Sequence, residues 1–342
     1  MHQRVFIVAA IALTGMLNGA AAQQAGSAAP DFYRGKTISI LIGAPPGGGF
    51  DLAARLVARH LGRQIAGQPA FIPQNMPGAS GVRVIDYLFS VAPHDGTTIG
   101  ITLPSSYLSK VLDTGEGGKP HQMTWIGRLA AFRGYGVVWN DVPVKTFAEA
   151  KERAVSMGAE GPTGLAAVTM SALNALGGSK FNIVKGYSGN ADQGLAMQRG
   201  EIQGSGSLSW EYIDSLDWVK QDKIRFIFNI GLSRYHRIPD VPTVAELIDN
   251  EDDKAVVRLI ASSTEIGRAF VGPPGIPPDR TEILRQAFTA MIDTPEFRDD
   301  ADKLKLELEP QTGAQMQKLV TSAMNTSQKV IDRTRGFMPG LK

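Results

Sequence analysis

The stretch "ISILIGAPPGGGFD", Ile38–Asp51, decides the fold. An apolar run stops at Gly43, two prolines and three glycines follow, and an acid stands where a helix begins. A short continuous apolar run bounded by turn residues is the pattern of a strand buried on both faces of a parallel sheet. Beyond the loop, Leu52, Ala53, Leu56, Val57, Leu61 and Ile65 fall on one helical stripe, with Arg55, Arg59 and Arg63 outside it. Asp51 takes the position expected of an N-cap. Strand, bare loop and helix form the opening of an α/β unit. Such a loop leaves backbone N–H groups free at the positive end of a helix dipole.

Working outward, "AFIPQN" (Ala70–Asn75) reads as a second strand, Val82–Phe89 as a helix and "TTIGIT" (Thr97–Thr102) as a third strand. The alternation predicts an α/β domain with right-handed crossovers. The middle repeats the pattern. Strands are expected at Gly134–Asn140, Phe181–Tyr187 and Lys223–Gly231, and helices at Lys145–Met157 and Asn190–Glu201. A glycine-bounded loop leads into another helix within Gly161–Gly178, and the tail from Pro278 is mainly helical, interrupted near Pro295. A chain of 342 residues that is 43% hydrophobic suits two domains with real cores.

The first residues carry an address. Arg4 precedes an apolar run from Val5 to about Leu17, and Ala20, Ala21 and Ala22 follow. This is a secretory signal over residues 1–22, cleaved before Gln23. Its apolar run is shorter than the ~20 residues that span a bilayer. Export to the periplasm is therefore expected.

The sequence excludes several chemistries. A formal charge of +2 is no nucleic-acid footprint, and the absence of cysteine removes disulfides, thiolate metal sites and a thiol nucleophile. The places where a P-loop needs Gly-Lys-Ser/Thr hold Gly49, Phe50 and Asp51, and no dinucleotide fingerprint is present. His60, His94, His121 and His236 are scattered, "GASG", "GYSG" and "GSGS" all miss the nucleophile elbow, and Asp249–Asp253 reads as a solvated helix end. No catalytic residue, metal ligand or cofactor is expected. Two readings of the opening loop stand: a seat for a small anion such as a carboxylate, and a tight structural turn. Asp51 would shape the loop, because a carboxylate facing a carboxylate ligand is repulsive. A second bare loop, "GAEGPTGLAA" (Gly158–Ala167), offers Thr163, and "LPSSY" (Leu103–Tyr107) offers Ser105 and Ser106. Ligands of open α/β sheets sit beyond the carboxyl ends of strands, where these loops lie.

Together these residues resemble the substrate-binding proteins of tripartite tricarboxylate transporters, the Bug or TctC-like family. "GAPPGGGFDLAARLVARHL" is similar to the family's P-x-x-x-G-G-x-x-D-x-x-A-R loop and helix. "PQNMPGASG" resembles E-N-x-P-G-A-x-G, with Gln74 at the glutamate, and "APHDGTTIGI" resembles P-D-G-Y-T-L, with His94 and Thr98 at the proline and tyrosine. "VKGYSGNADQGLAMQRGEIQG", "RIPDVPTVAEL" and "FVGPPGIPPDRTEILRQAF" complete the series in order. The resemblance implies a two-lobed periplasmic-binding-protein (Venus flytrap) fold, α/β, with mostly parallel sheets flanked by helices. It implies a monomeric receptor, not an enzyme, that captures a small organic carboxylate and delivers it to membrane permease subunits. Delivery to a sensor kinase is the alternative, and a secreted enzyme the remote one.

Carried over residue by residue, the resemblance assigns ligand binding to Pro46, Gly48, Gly49, Phe50 and Asp51, with Ser105 and Ser106 nearby, in the first lobe. The second lobe would contribute Gly161, Thr163 and Tyr187, with Trp210 as an apolar wall. The lobes are expected at 30–132 with 233–342 and at 133–232, hinged near Arg133 and Ser233. The second loop departs from the family's S-S-G-x-G-S: it reads Glu160-Gly161-Pro162-Thr163-Gly164, and Pro162 removes an amide donor. Phe50 stands where the family has Thr or Ser; with Tyr187 and Trp210 it suits an aromatic ligand.

Overall fold

A computed structural model describes residues 29–113, 119–323 and 325–338, so the expected signal at 1–22 lies outside the described residues. In chain order the strands are β1 (Thr37–Ile42), β2 (Ala70–Asn75), β3 (Thr98–Ile101), β4 (Thr124–Arg128), β5 (Gly134–Trp139), β6 (Val155–Ala159), β7 (Phe181–Lys185), β8 (Gly204–Ser209), β9 (Ile224–Asn229), β10 (Ala269–Gly272) and β11 (Gln311–Thr312). The helices are α1 (Ala29–Phe32), α2 (Gly49–His60), α3 (Val82–Ser90), α4 (Pro104–Leu112), α5 (Phe147–Glu152), α6 (Leu165–Gly177), α7 (Asn190–Gln198), α8 (Trp210–Ser215), α9 (Glu251–Ser262), α10 (Pro278–Asp293), α11 (Pro295–Lys303), α12 (Gly313–Ala323) and α13 (Gln328–Arg335). Among the described residues no helix is long and apolar enough to cross a membrane.

The strands form two mixed sheets. The first runs β11-β4-β10-β3-β1-β2, with β1, β2 and β3 parallel at its core and β10 antiparallel to both neighbours. Ile38, Ile40 and Ile42 of β1 are fully buried, in one apolar cluster with Leu56 and Val57 of α2, Phe288 of α10 and Phe297 of α11. Each such side chain contributes about 1.5–3 kcal/mol by leaving water. Pro73 is tolerated in β2 because that strand is an edge, where one side of the backbone has no ladder to serve.

The second sheet runs β7-β6-β8-β5-β9, with β6, β7 and β8 parallel and β5 antiparallel to β8 and β9. Two elements here correct the sequence reading. The helix expected over Lys145–Met157 ends at Glu152, and the chain turns at Arg153 into β6. "GSGSLS" is the fully buried strand β8, despite the poor strand propensity of glycine and serine. Its reason is the approach of α6: a Cβ on Gly206 would lie 2.5 Å from Met170 Cε. Small residues let the helix press onto the sheet.

The chain passes from β4 to β5 through Leu129–Arg133. There the Phe132 N–H donates to Thr264 (2.8 Å), and the Trp210 N–H donates to the Arg133 carbonyl (2.9 Å). Between the sheets, Arg133 pairs with Glu309, Tyr235 hydrogen-bonds Glu307, and Lys305 Nζ donates to the Asp214 carbonyl at 2.8 Å. Helix α9 packs on α6 beside the second sheet and on α13, so the C-terminal return braces both halves.

Candidate functional site

The loop between β1 and α2 is built around Asp51. It is not the N-cap: Gly48 holds that position, and Asp51 is the third residue of the helix. From there its carboxylate reaches back and accepts the Gly47 N–H at 2.8 Å. It also accepts from Arg55 Nε at 2.9 and 3.0 Å and from Asn75 Nδ2 at 2.8 Å. Asn75, at the end of β2, donates again to the Ala44 carbonyl at 3.0 Å and accepts from Arg55 Nη2 at 2.9 Å. Burial alone would raise the Asp51 carboxyl, but the Arg55, Gly47 and Asn75 hydrogen bonds hold it below the usual carboxylate range. Asp51 is 2% exposed, so its charge is committed to the loop and does not face a ligand. Gly47 sits at φ +82°, which a side chain would resist. Pro46, Gly48 and Gly49 are exposed, and the N–H groups of the first turn of α2, at Gly49 and Phe50, have no intrahelical acceptor.

A cation stands behind this loop. Arg268, just before β10, is 1% exposed; a Cβ on Gly49 would lie 3.2 Å from its Nη2. Its guanidinium lies 5.3 Å from the centre of the Phe50 ring, and Phe50 stacks on Phe132 at 5.9 Å. Arg268 Nη1 is 3.1 Å from Glu211 Oε1 on α8, an ion pair between the two halves. The alignment is poor: Nε and Nη1 of Arg268 and Oε2 of Glu211 have no hydrogen-bond partner. A buried guanidinium with unused donors beside a loop of free amides favours an incoming anion.

The second loop faces the first lobe directly. Thr163 Oγ1 and Ser80 Oγ are 3.1 Å apart, and a Cβ on Gly161 would lie 3.9 Å from Ser80 Oγ. Ser80 and Ala79 both hold left-handed backbone (φ +52° and +46°), strain of the kind kept where geometry matters. Glu160, at the carboxyl end of β6, folds over Gly164, the N-cap of α6: a Cβ there would lie 2.8 Å from Glu160 Oε2. Its Oε1 accepts from Gln193 Nε2 at 3.2 Å, and Ser205 Oγ holds Gln193 Oε1 at 2.5 Å. Burial pushes the Glu160 carboxyl up, against the opposing pull of Gln193, the Ala166 amide and the Ser207 hydroxyl.

The remaining expected residues are placed as follows. Ser105 Oγ donates to the Ser80 carbonyl at 3.0 Å, supporting the loop that meets Thr163. Ser106 Oγ is fully buried and serves the start of α4, donating to the Leu103 carbonyl and accepting the Leu103 N–H. Tyr187 is half-buried against the aromatic cluster of the second half, and burial raises its hydroxyl. Trp210 belongs to that cluster, 5% exposed, packed on Tyr135, Phe226 and Tyr235. Sequence reasoning missed Arg268, Ser80 and Glu160. No local motif marks Arg268, whereas Glu160 stands in the second loop as part of its departure from S-S-G-x-G-S.

Two α/β halves, joined by connecting segments and meeting at glycine-rich loops, make a two-lobed fold of the Venus flytrap type. The chain belongs to the tripartite tricarboxylate transporter receptor family, TctC, whose model matches residues 53–336. A Cupriavidus necator protein, described as a UPF0065 protein in the gbd 5′ region, is 28% identical over 318 residues, 90% of each chain. MatC of Rhodopseudomonas palustris, solved with bound malate, superposes with a TM-score of 0.66 at 16% identity, over 86% of this chain and 99% of its own. A second R. palustris protein, solved with adipate, gives 0.65 at 19% identity, over 88% and 98%. The family is one of transporter receptors.

Proposed function

We propose that this chain is a periplasmic receptor that captures a small organic carboxylate between its lobes and delivers it to a tripartite tricarboxylate-type membrane permease. The observation that carries the reading is the lobe-one seat. The amides at Gly48, Gly49 and Phe50 are held in place by the Gly47–Asp51 hydrogen bond and backed by the buried, incompletely partnered Arg268. Neutral donors plus one fixed cation suit a single carboxylate.

We take the lobes as 30–132 with 233–342, and 133–232, hinged near Arg133 and Ser233, with Tyr235 and α9 of the return packed on Trp210 and α6 of the second lobe. Closure brings Gly161 and Thr163 against Ser80. Phe50 stacked on Phe132 offers an aromatic floor, which favours a ring or a flat chain on the acid. Tyr187 and Trp210 shape the far wall from behind.

The test is a thermal-shift screen of refolded protein against aliphatic and aromatic acids with matched amides. A ligand of the folded state raises the melting point with its concentration. An acid that shifts it while its amide does not supports the reading; a protein that no acid stabilises defeats it.

A further inference from the structure

The two ends of the cleft carry opposite charge. At the first loop Arg268 is buried with Nε and Nη1 unpartnered. At the second loop, beside the Thr163 hydroxyl, stands the Glu160 carboxylate. Glu160 lies over Gly164 at the start of α6, where free amides and the helix dipole would otherwise receive an anion. Its Oε2 is buried and makes no hydrogen bond of normal geometry, although the Ala166 amide and the Ser207 hydroxyl act on the carboxyl, while Oε1 is fixed by Gln193, itself 0% exposed and held by Ser205. The loop that Glu160 opens is the one whose Gly161 and Thr163 meet Ser80 of the first lobe, so it borders the ligand's path.

Resting on the carboxylate reading above, we propose that Glu160 sets specificity. It occupies the second lobe's anion seat with the chain's own carboxylate, so the ligand is a monocarboxylate whose far end is a hydrogen-bond donor, an ammonium or an amide N–H. A second ligand carboxylate at that end would either face the Glu160 charge or require Glu160 to hold a proton, and both disfavour it relative to a donor. A donor there satisfies Oε2 and removes the cost of leaving a buried acceptor unpaired. The same arrangement discriminates by what it rejects as well as by what it holds.

The experiment compares equal-length probes on refolded wild-type protein by calorimetry: glutarate, glutaramate and 5-aminopentanoate; adipate, adipamate and 6-aminohexanoate; and benzene-1,4-dicarboxylate with its monoamide. The proposal expects the monoamide or amino acid to bind at least tenfold tighter than the dicarboxylate of its length. Glu160→Gln should narrow that ratio to within about threefold, chiefly by improving the dicarboxylate. A wild-type protein that binds a dicarboxylate as tightly as its monoamide overturns the proposal, with no need for the variant to fold. A preference unchanged in folded E160Q overturns the role of Glu160. If simple monocarboxylates also fail to bind, the carboxylate reading itself falls, and this proposal with it.

Discussion

Replacing Asp51 with alanine should loosen the lobe-one seat without touching the ligand. Asp51→Ala removes the acceptor of the Gly47 N–H and one of the two acceptors of Asn75 Nδ2, which keeps the Ala44 carbonyl. The Arg55 side chain is 40% exposed and returns to water, so its share is small. Gly47 is exposed, so water can replace Asp51 at its N–H; with each lost hydrogen bond worth about 0.5–1.5 kcal/mol net, the variant should lose roughly 1–2 kcal/mol in urea unfolding at pH 7. Affinity for the acid should fall about ten- to hundredfold, because amides held in place by Asp51 must then be ordered on binding. The effect has a pH signature. The folded carboxyl is more acidic than in the unfolded chain, so the unfolded state binds more protons as pH drops. The contribution is complete above the unfolded value of about 4 and is lost as pH falls through the lower folded value. Wild type and Asp51→Asn should therefore converge in stability below about pH 4. A D51A protein within about 0.5 kcal/mol of wild type, with unchanged affinity, would refute the shaping role.

Arg268→Met should weaken binding of the acid about ten- to hundredfold, the worth of a charge-assisted hydrogen bond. Because it strands Glu211, the double variant R268M/E211Q should recover stability but not affinity; recovered affinity would show that Arg268 only balances Glu211. Thr163→Val removes the contact with Ser80, worth about 0.5–1.5 kcal/mol, so stopped-flow release should quicken roughly two- to tenfold with little change in capture rate. An unchanged release rate would remove that contact from closure. Gly206→Val drives a side chain into Met170 and should cost about 1–3 kcal/mol by overpacking, read from the urea midpoint. A neutral result would mean that α6 can move off the sheet.

In the first sheet β1, β2 and β3 were readable from their apolar residues, whereas β4, β10 and β11 carried no expectation. Ile38–Ile42 needs no context to be recognised as buried. The second sheet hid two strands for different reasons. β6 follows α5 with only two residues between, so its apolar positions extended the helical stripe. β8 is glycine and serine because α6 presses on it, a tertiary demand with no local signature. The site divides in the same way. Loop residues joined by sequence could be read together, and Asp51, expected as the N-cap, instead bonds Gly47 from the third position of the helix. Arg268 reaches the loop only through the pairing of β10 beside β3. Glu160 was visible, but whether its carboxylate points at α6 or at solvent is decided by Gln193, which arrives from another helix.

The central claim is a carboxylate seat in the first lobe. Its most direct measurement is a calorimetric titration of refolded protein with the acid that stabilises it best and with that acid's amide. One molecule of acid per chain, bound at least a hundredfold tighter than the amide, is the predicted result. Equal affinity for acid and amide would contradict it, since the amides of Gly48, Gly49 and Phe50 and the charge of Arg268 would then be recognising something other than an anion.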